Sequence, residues 1–280
     1  MIELFDLTWK QIAELDKSKS ILFVTVAPIE EHSLHLPLGT DIYEGENWIR
    51  EAAKRIEQEH PERICCKLPA FPIAAASIKG FYGCIHFKPK TTYQVALELL
   101  ENIVRLEFRN IIIIASHGDP IHLIAIEKAC KRINKKYGTC AISPMGAFFS
   151  AKELGIDLNT PIEVKYMEEN AANDFHAGWI ETSCMLDIDR RLVSDGYKSL
   201  PDLKITESEM ISAKKQRKVM GEYGHLGYPA IADENIGRLL NQNTVQYLSM
   251  VTMKFVNREG YTKYMFHSLY KLPFMHMYFI

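Results

Sequence analysis

The chain has 280 residues, of which 47% are hydrophobic and 24% are charged, as in an ordinary globular protein of one or two domains. Its 33 basic and 35 acidic side chains leave a net charge of −2. This balance argues against a general nucleic-acid binder and against a protein that reads membranes through a polybasic surface.

Short apolar runs alternate with helical patterns along the first half of the chain. The predicted strands are residues 21–26, 63–68, 110–115 and a strand near 139–143. The predicted helices are residues 42–56, a helix behind a capping box that starts at Thr91, and a helix that follows Pro120. Strands 21–26 and 110–115 are apolar along nearly their whole length, which is typical of strands covered on both faces. The alternation predicts the α/β class, with a parallel sheet covered by helices.

The second half of the chain gives weaker patterns. Residues 150–220 are predicted to form loops and short helices. A helix is expected from Pro229 to Leu240 and, after a break, on to Phe255. The C-terminal tail, about residues 258–280, is unusually apolar and is expected to dock on its own domain or on a neighbouring subunit.

Cysteine usage and the N-terminal residues bear on the cellular compartment. The six cysteines include no C-x-x-C pair, and adjacent Cys65 and Cys66 suit core packing on a strand. The first residues lack the basic region and apolar core of a signal peptide, and the longest apolar runs, 21–29 and 111–115, are too short to span a bilayer. We expect a reduced, cytoplasmic protein that binds neither nucleic acid nor membrane.

Acidic and histidine side chains follow two of the predicted strands. Glu30 and His32 come after strand 21–26, and Asp41 returns through a loop that contains Pro37 and Gly39. His117 and Asp119 follow strand 110–115 with the same spacing as Glu30 and His32. Parallel strands bind ligands at their carboxyl ends, so these five side chains are expected to lie close together. A mixed set of imidazole and carboxylate ligands suits zinc, manganese or iron, and five ligands suit two ions that share a carboxylate.

Each of these residues also has an ordinary structural interpretation. Glu30 and Glu31 could be exposed loop charges. Asp119 before Pro120 is a good helix N-cap, an interpretation as strong as metal ligation for that residue alone. A single histidine such as His32 or His117 is more often hydrogen-bonded than ligating. The repeated spacing at two strand ends is what favours a metal site.

A third segment contains Asp174, His176 and Glu181 around Gly178. His176 and Glu181 are too far apart around a helix for one face to present both. Gly178 lets His176 lie in the loop before a helix, with Glu181 in the first turns. On composition alone, the favoured interpretation is a helix start capped by Asn173 or Asp174.

Together these segments resemble the creatininase (creatinine amidohydrolase) family. The resemblance rests on the run from Glu30-x-His32 through His35-Leu36-Pro37-Leu38-x-Thr40-Asp41, on His117-Gly118 after a strand, and on Asp174-x-His176-Ala177-Gly178-x-x-Glu181. A weaker fourth piece is the glycine- and proline-marked segment from Gly221 to Gly237. The resemblance implies a single three-layer α/β/α domain over residues 1–280 with a mostly parallel sheet, two divalent metal ions per chain, and a homo-oligomer, by resemblance a hexamer.

The resemblance also implies roles for particular residues. Glu30 and His117 would hold one ion and His32 the other, with Asp41 bridging. Asp119 stands where creatininase has a metal-binding glutamate, and Glu181 would be a further ligand or a supporting carboxylate. His176 would pass a proton to the leaving nitrogen, oriented by Asp174.

The implied activity is hydrolysis of a C–N bond in a small amide, such as a cyclic amide or formamide, by a metal-activated water. Two departures from the family pattern bear on this hypothesis: both asparagines that flank the family's His-Gly pair are missing, and Asp119 is about 1.5 Å shorter than glutamate. The segment from His86 to Thr91 is also altered, so the identity of the substrate does not transfer.

Two alternatives stay open. A phosphoester hydrolase could use the same metals, with Lys88 and Lys90 contacting an anionic substrate, although no phosphate-binding loop is recognisable. A family member with a degraded metal site could instead act as an oligomeric binding or structural protein.

Overall fold

The structure is a computed structural model that describes residues 1–76, 80–210 and 212–279, apart from the side chains of residues 207 and 208. The strands among these residues are β1 (Ile2–Glu3), β2 (Ser20–Thr25), β3 (Ile64–Lys67), β4 (Ile111–Ile114) and β5 (Ala141–Ile142). The α-helices in the same ranges are α1 (Trp9–Glu14), α2 (Thr40–Glu59), α3 (Pro89–Arg105), α4 (Pro120–Tyr137), α5 (Met145–Phe149), α6 (Ala151–Leu154), α7 (Ile162–Asn170), α8 (Trp179–Asp189), α9 (Glu207–Met210), α10 (Ala213–Met220) and α11 (Glu234–Val256).

The five strands form one all-parallel sheet in the order β1-β3-β2-β4-β5. β2 and β4 lie at its centre, and every residue of both is buried. Their continuous apolar sequence is what a strand covered on both faces requires. The predicted parallel sheet is therefore confirmed, while the two-residue edge strand β1 is an element that the sequence pattern did not reveal.

Helices cover the sheet in two layers. α3 packs against α4, and α11 packs against α8 and α2. The buried face of α2 carries Trp48, Ile49, Ala52, Ala53 and Ile56, at the spacing that places side chains on one side of a helix. The result is the three-layer α/β/α arrangement that the family resemblance implies.

Two predicted helix boundaries are wrong. α3 begins at Pro89 with Lys88 as its N-cap, two residues before the predicted capping box, because proline at the first helical position loses no hydrogen bond. α11 runs unbroken from Glu234 to Val256, capped by Asp233, and only Pro229–Ile231 before it forms a separate 3-10 turn. Residues 150–210 and 212–220 form loops and short helices, as predicted.

The C-terminal tail lies on the body of its own chain. Tyr270, Met275 and Phe279 are buried against Ile124 and Ala125 of α4. Residue 280 lies outside the described residues. No helix within the described residues is long and apolar enough to cross a membrane.

Candidate metal centre

The loop after β2 presents a glutamate and a histidine at the carboxyl end of the sheet. Glu30 N donates to Leu38 O at 3.0 Å, which folds the loop back on itself. His32 Nδ1 lies 3.0 Å from Glu30 O, which leaves Nε2 of the ring facing inward. Because α2 begins at Thr40, Asp41 lies in its first turn and returns to the same place.

The loop after β4 leaves the sheet beside the first one. β4 pairs with β2 so that Ile114 lies opposite Thr25, and the next residues of both strands emerge at the same edge. His117 follows β4, and Ser116 Oγ donates to Asp41 O at 2.6 Å. This hydrogen bond ties the second loop to the start of α2.

The segment that contains His176 is held at the site by a short antiparallel backbone pairing. Leu226 N donates to His176 O at 2.8 Å, and His176 N donates to Leu226 O at 3.1 Å. α8 begins three residues later, with Glu181 in its first turn. The Glu181 carboxylate accepts the N–H of Ala177, which fixes it beside the histidine loop.

Six of the predicted side chains meet at one point: Glu30, His32, Asp41, His117, His176 and Glu181. Asp41 is central, because its Oδ1 lies 3.6 Å from His32 Nε2 and its Oδ2 lies 3.6 Å from His117 Nδ1. Glu30 Oε1 lies 3.8 Å from His117 Nδ1 and 3.7 Å from His176 Nδ1. Glu181 Oε2 lies 3.9 Å from His32 Nε2.

These side chains form three overlapping groups of possible ligands, each with its donor atoms within 4.8 Å of one another. The first is Glu30, Asp41 and His117; the second is His32, Asp41 and Glu181; the third is Glu30, His32 and His176. Asp41 is shared by the first two groups and offers a different oxygen to the histidine of each. The first two groups are therefore adjacent sets of possible ligands that share the Asp41 carboxylate.

Several polar atoms of these side chains are buried and have no hydrogen-bond partner within the described part of the chain. They are both carboxylate oxygens of Glu30, Oδ2 of Asp41, Nε2 of His32 and Nε2 of His117. Glu30 is completely buried, so it is not an exposed loop charge. Buried carboxylates without partners are costly unless they bind protons or metal ions. The donor set therefore fits divalent cations.

The charges of the site act strongly on one another. Burial raises the pKa of Glu30, although the nearby His117 and His176 rings oppose the shift. Burial would lower the pKa of His117, but the carboxylates of Glu30 and Asp41 overcome it and raise the value to about 10. Burial would raise the pKa of Asp41, but His32 and His117 hold it below its usual value.

The hydrogen bonds of His176 define how its ring can act. Its Nε2 lies 2.9 Å from Glu31 O, a carbonyl that can only accept, so Nε2 carries a proton. Nδ1 then faces Glu30 and the interior of the site. His176 can therefore take up or release a proton at Nδ1.

A sequence model of the family described as creatinine amidohydrolase matches residues 5–252. The chain belongs to the creatininase family. A search of curated protein sequences finds no match to this chain.

Solved structures of creatininases share this fold. A structure titled "Creatininase Mn" is 16% identical, with a TM-score of 0.69, and the alignment covers 91% of this chain and 98% of that one. A creatinine amidohydrolase structure from Bacteroides fragilis NCTC 9343 is 19% identical, with a TM-score of 0.67 and coverage of 93% and 98%. A mutant creatininase complexed with creatine is 16% identical, with a TM-score of 0.66 and coverage of 90% and 98%. At these identities the likeness shows the fold.

Asp119, which the family resemblance places where creatininase has a glutamate, belongs to none of the three groups of possible ligands. Its Oδ1 accepts the N–H of Ile121 at 2.8 Å, and it is the N-cap of α4. Pro120 follows at the first helical position. The capping interpretation thus describes its observed geometry, whereas Glu181 belongs to one of the groups of possible ligands.

Asp174 contacts the backbone around the site, not the His176 ring. Its carboxylate accepts the N–H groups of Trp179, Ile180 and Tyr228 at 2.9 to 3.0 Å. It thereby fixes the start of α8 relative to the segment that pairs with His176. Gly178 leaves room for this carboxylate, since a Cβ there would lie 1.8 Å from Asp174 Oδ1.

Two further acidic residues lie beside the site, and the sequence patterns did not assign a role to either of them. Glu31 is buried, with Oε1 3.4 Å from His176 Nε2. Glu44 is buried on α2 one turn after Asp41. Burial raises the pKa of Glu44 well above its usual value, and the charges of Glu181 and Asp41 add to the shift. Its helical spacing from Asp41 is the signal that could have revealed it.

Proposed function

We propose that this creatininase-family protein is a metal-dependent amidohydrolase that cleaves a C–N bond of a small cyclic amide or formamide. The observation that carries the proposal is the meeting of six buried or half-buried imidazole and carboxylate groups from three separate segments. Buried polar atoms of four of them, Glu30, His32, Asp41 and His117, lack hydrogen-bond partners among the described residues. An oxygen-rich, thiolate-free set of this kind suits a catalytic centre better than a structural zinc site.

Each cation would have three protein ligands. Glu30, Asp41 and His117 would hold one, and His32, Asp41 and Glu181 would hold the other. A structure titled as a Zn-Zn type of mutant creatininase has this fold with 16% identity and a TM-score of 0.67, and another creatininase contains Mn. These titles support zinc or manganese here, and iron is compatible with the same ligands.

Two divalent ions in such a site lower the pKa of a water ligand and polarise the carbonyl oxygen of the substrate. This chain's own contribution to bond cleavage centres on His176. With Nε2 held by Glu31 O, Nδ1 of His176 faces the site and can deliver a proton to the leaving nitrogen. An amide nitrogen leaves poorly as an anion, so a positioned proton donor is needed.

One observation favours the alternative of a non-catalytic family member. Asp119 caps α4 and is not part of a ligand group, so the creatininase-like glutamate position contributes no ligand in this geometry. The presence of Glu181 beside His32 argues for the hydrolase, because it supplies a carboxylate to the second cation position.

Elemental analysis of the purified protein tests the proposal. We expect about two transition-metal ions per chain, lost in Glu30→Ala and His117→Ala, together with hydrolysis of members of a panel of cyclic amides and formamides. Stable binding of metal without turnover of any panel member would favour a binding protein. Failure to contain or take up metal would exclude the hydrolase. The cytoplasmic location and the homo-oligomeric, by resemblance hexameric, assembly stay predictions.

A further inference from the structure

A buried glutamate far along α4 has no part in the metal centre. Glu127 is 0% exposed, and its Oε1 accepts the N–H of His267 at 2.8 Å. Its Oε2 has no hydrogen-bond partner within the described part of the chain. Gly146 of α5 makes room for the carboxyl group, since a Cβ there would lie 1.8 Å from Oε1. A charged carboxylate in this position would be poorly compensated.

Glu127 lies under the point where the C-terminal segment, residues 266–279, meets α4. Beyond His267 the segment packs Tyr270, Met275 and Phe279 on Ile124 and Ala125. This contact continues along the same helix, because the ammonium groups of Lys128 and Lys131 lie over aromatic rings of the segment at 5.1 to 5.5 Å. One face of α4 thus contacts the segment at several points, and Tyr93 of α3 packs against Phe279 beside it.

No basic side chain among the described residues acts on the Glu127 carboxylate, and the ammonium groups of Lys128 and Lys131 on the same helix lie over aromatic rings. The titratable groups facing it are His267 and Tyr270 of the C-terminal segment, Tyr247 of α11 and Cys130 of α4 itself. α5 contributes Gly146, which has no side chain. Burial lowers the pKa of His267, so this ring is neutral at physiological pH. Burial raises the pKa of Glu127 well above its usual value, against the smaller effect of the His267 N–H.

We propose that uncharged Glu127 is a clasp that holds the C-terminal segment on α4, and that loss of its proton releases the segment. In the docked state the carboxyl group keeps its proton, whereas in the released state it meets water and ionises as an ordinary glutamate. Release is therefore favoured as the pH rises above about 4.5. The ratio of released to docked protein increases by up to tenfold per pH unit while the docked form stays protonated. This inference is independent of the proposed hydrolase activity.

Tryptic cleavage after the exposed Lys271 measures release. The cleavage rate of the full chain, divided at each pH by that of a free peptide of residues 266–280, reports the released population when cleavage is slow relative to opening. Between pH 6 and 8.5 we expect this ratio to rise by up to tenfold per unit in the wild-type protein. Glu127→Gln keeps an acceptor for the His267 N–H and has no proton to lose, so its ratio should not change with pH.

A matched control removes a neighbouring anchor that does not titrate. Ser150 Oγ accepts the N–H of Ser268 at 2.9 Å. Ser150→Ala should raise the cleavage ratio at every pH while keeping the wild-type slope. A wild-type ratio that does not change with pH would overturn the proposal whether or not Glu127→Gln folds. A wild-type slope retained in folded Glu127→Gln would also overturn it.

Discussion

Oδ1 of Asp41 lies 3.6 Å from Nε2 of His32, although a proline-containing loop separates the two residues in the chain. The other carboxylate oxygen faces His117 at the same distance. Asp41 is thus the residue that joins the two possible cation positions. Its backbone carbonyl also accepts the Ser116 hydroxyl, a contact that does not depend on the carboxylate.

Asp41→Asn should therefore remove metal from both positions while the protein stays folded. Asparagine keeps the shape and the backbone contact but loses the charge that both cations would share. We expect metal content to fall from about two ions per chain toward zero, and activity to fall by more than about 100-fold. Elemental analysis, with circular dichroism to verify folding, measures both. Retention of two ions in Asp41→Asn would contradict the bridging role.

Glu181 and Asp119 can be distinguished as ligands by a pair of amide substitutions. Glu181 Oε2 lies 3.9 Å from His32 Nε2, so Glu181→Gln should lower the metal content from about two ions per chain to about one. Asp119→Asn should retain both ions, and its thermal stability should change little because asparagine and aspartate are similar N-caps. The reverse pattern of metal loss would identify Asp119 as the ligand.

His176→Ala separates proton transfer from metal binding. With Nε2 occupied by the Glu31 carbonyl, His176 is expected to serve through Nδ1 as a proton donor. The variant should keep about two ions per chain and lose about 10²- to 10⁴-fold in kcat. Loss of metal would instead show that His176 is a ligand, as its grouping with Glu30 and His32 permits.

Burial and periodicity explain which parts of the fold the sequence could predict. β2 and β4 are recognisable because their apolar runs are covered on both faces. β1 has two residues, too few for a pattern. The expected break in α11 falls where Asn241 and Asn243 interrupt the apolar spacing. Both are buried and hydrogen-bonded, Asn241 to Trp48 and Cys184 and Asn243 to Leu158, so tertiary contacts compensate for residues that look unfavourable in a buried helix.

The candidate site likewise contains some features that the sequence could predict and others that it could not. The common spacing of Glu30–His32 and His117–Asp119 correctly indicated that two strand ends meet. It could not decide between metal ligation and helix capping for Asp119, because an aspartate before a proline at a strand end suits both roles, and the structure shows the cap. Glu31 contacts His176, which is distant in sequence, and no local pattern reports such a contact.

Asp174 should matter for stability as well as for activity. Alanine in its place would leave three partly buried backbone N–H groups, those of Trp179, Ile180 and Tyr228, without this acceptor. We expect Asp174→Ala to lower the free energy of unfolding by about 2–5 kcal/mol and to reduce activity through displacement of His176. Asp157, an exposed aspartate that accepts a single backbone N–H from Asn159, provides the control. Asp157→Ala should lower the free energy of unfolding by less than about 1 kcal/mol. Equal losses in the two variants, measured by urea unfolding, would contradict a special structural role for Asp174.

His122 should make the metal-free protein sensitive to acid. It is completely buried on α4, with Nε2 3.0 Å from Val26 O. Burial, helped by the charge of His117, lowers the pKa of His122 from 6.5 to about 4. The unfolded chain therefore binds a proton at a higher pH than the folded chain does. The contribution of the neutral His122 to the free energy of unfolding is fully present above about pH 6.5 and is lost as the pH falls toward 4.

The size of this loss is on the order of 3 kcal/mol, and His122→Gln isolates it. Glutamine can donate to Val26 O but does not titrate. Urea unfolding of the metal-free proteins between pH 7.5 and 4.5 should show a smaller acid-dependent loss of stability in the variant than in the wild type. Burial also lowers the pKa of His35, to about 3, so part of the acid sensitivity should persist in His122→Gln. Equal pH dependence in the two proteins would mean that His122 gains its proton without a cost to the fold.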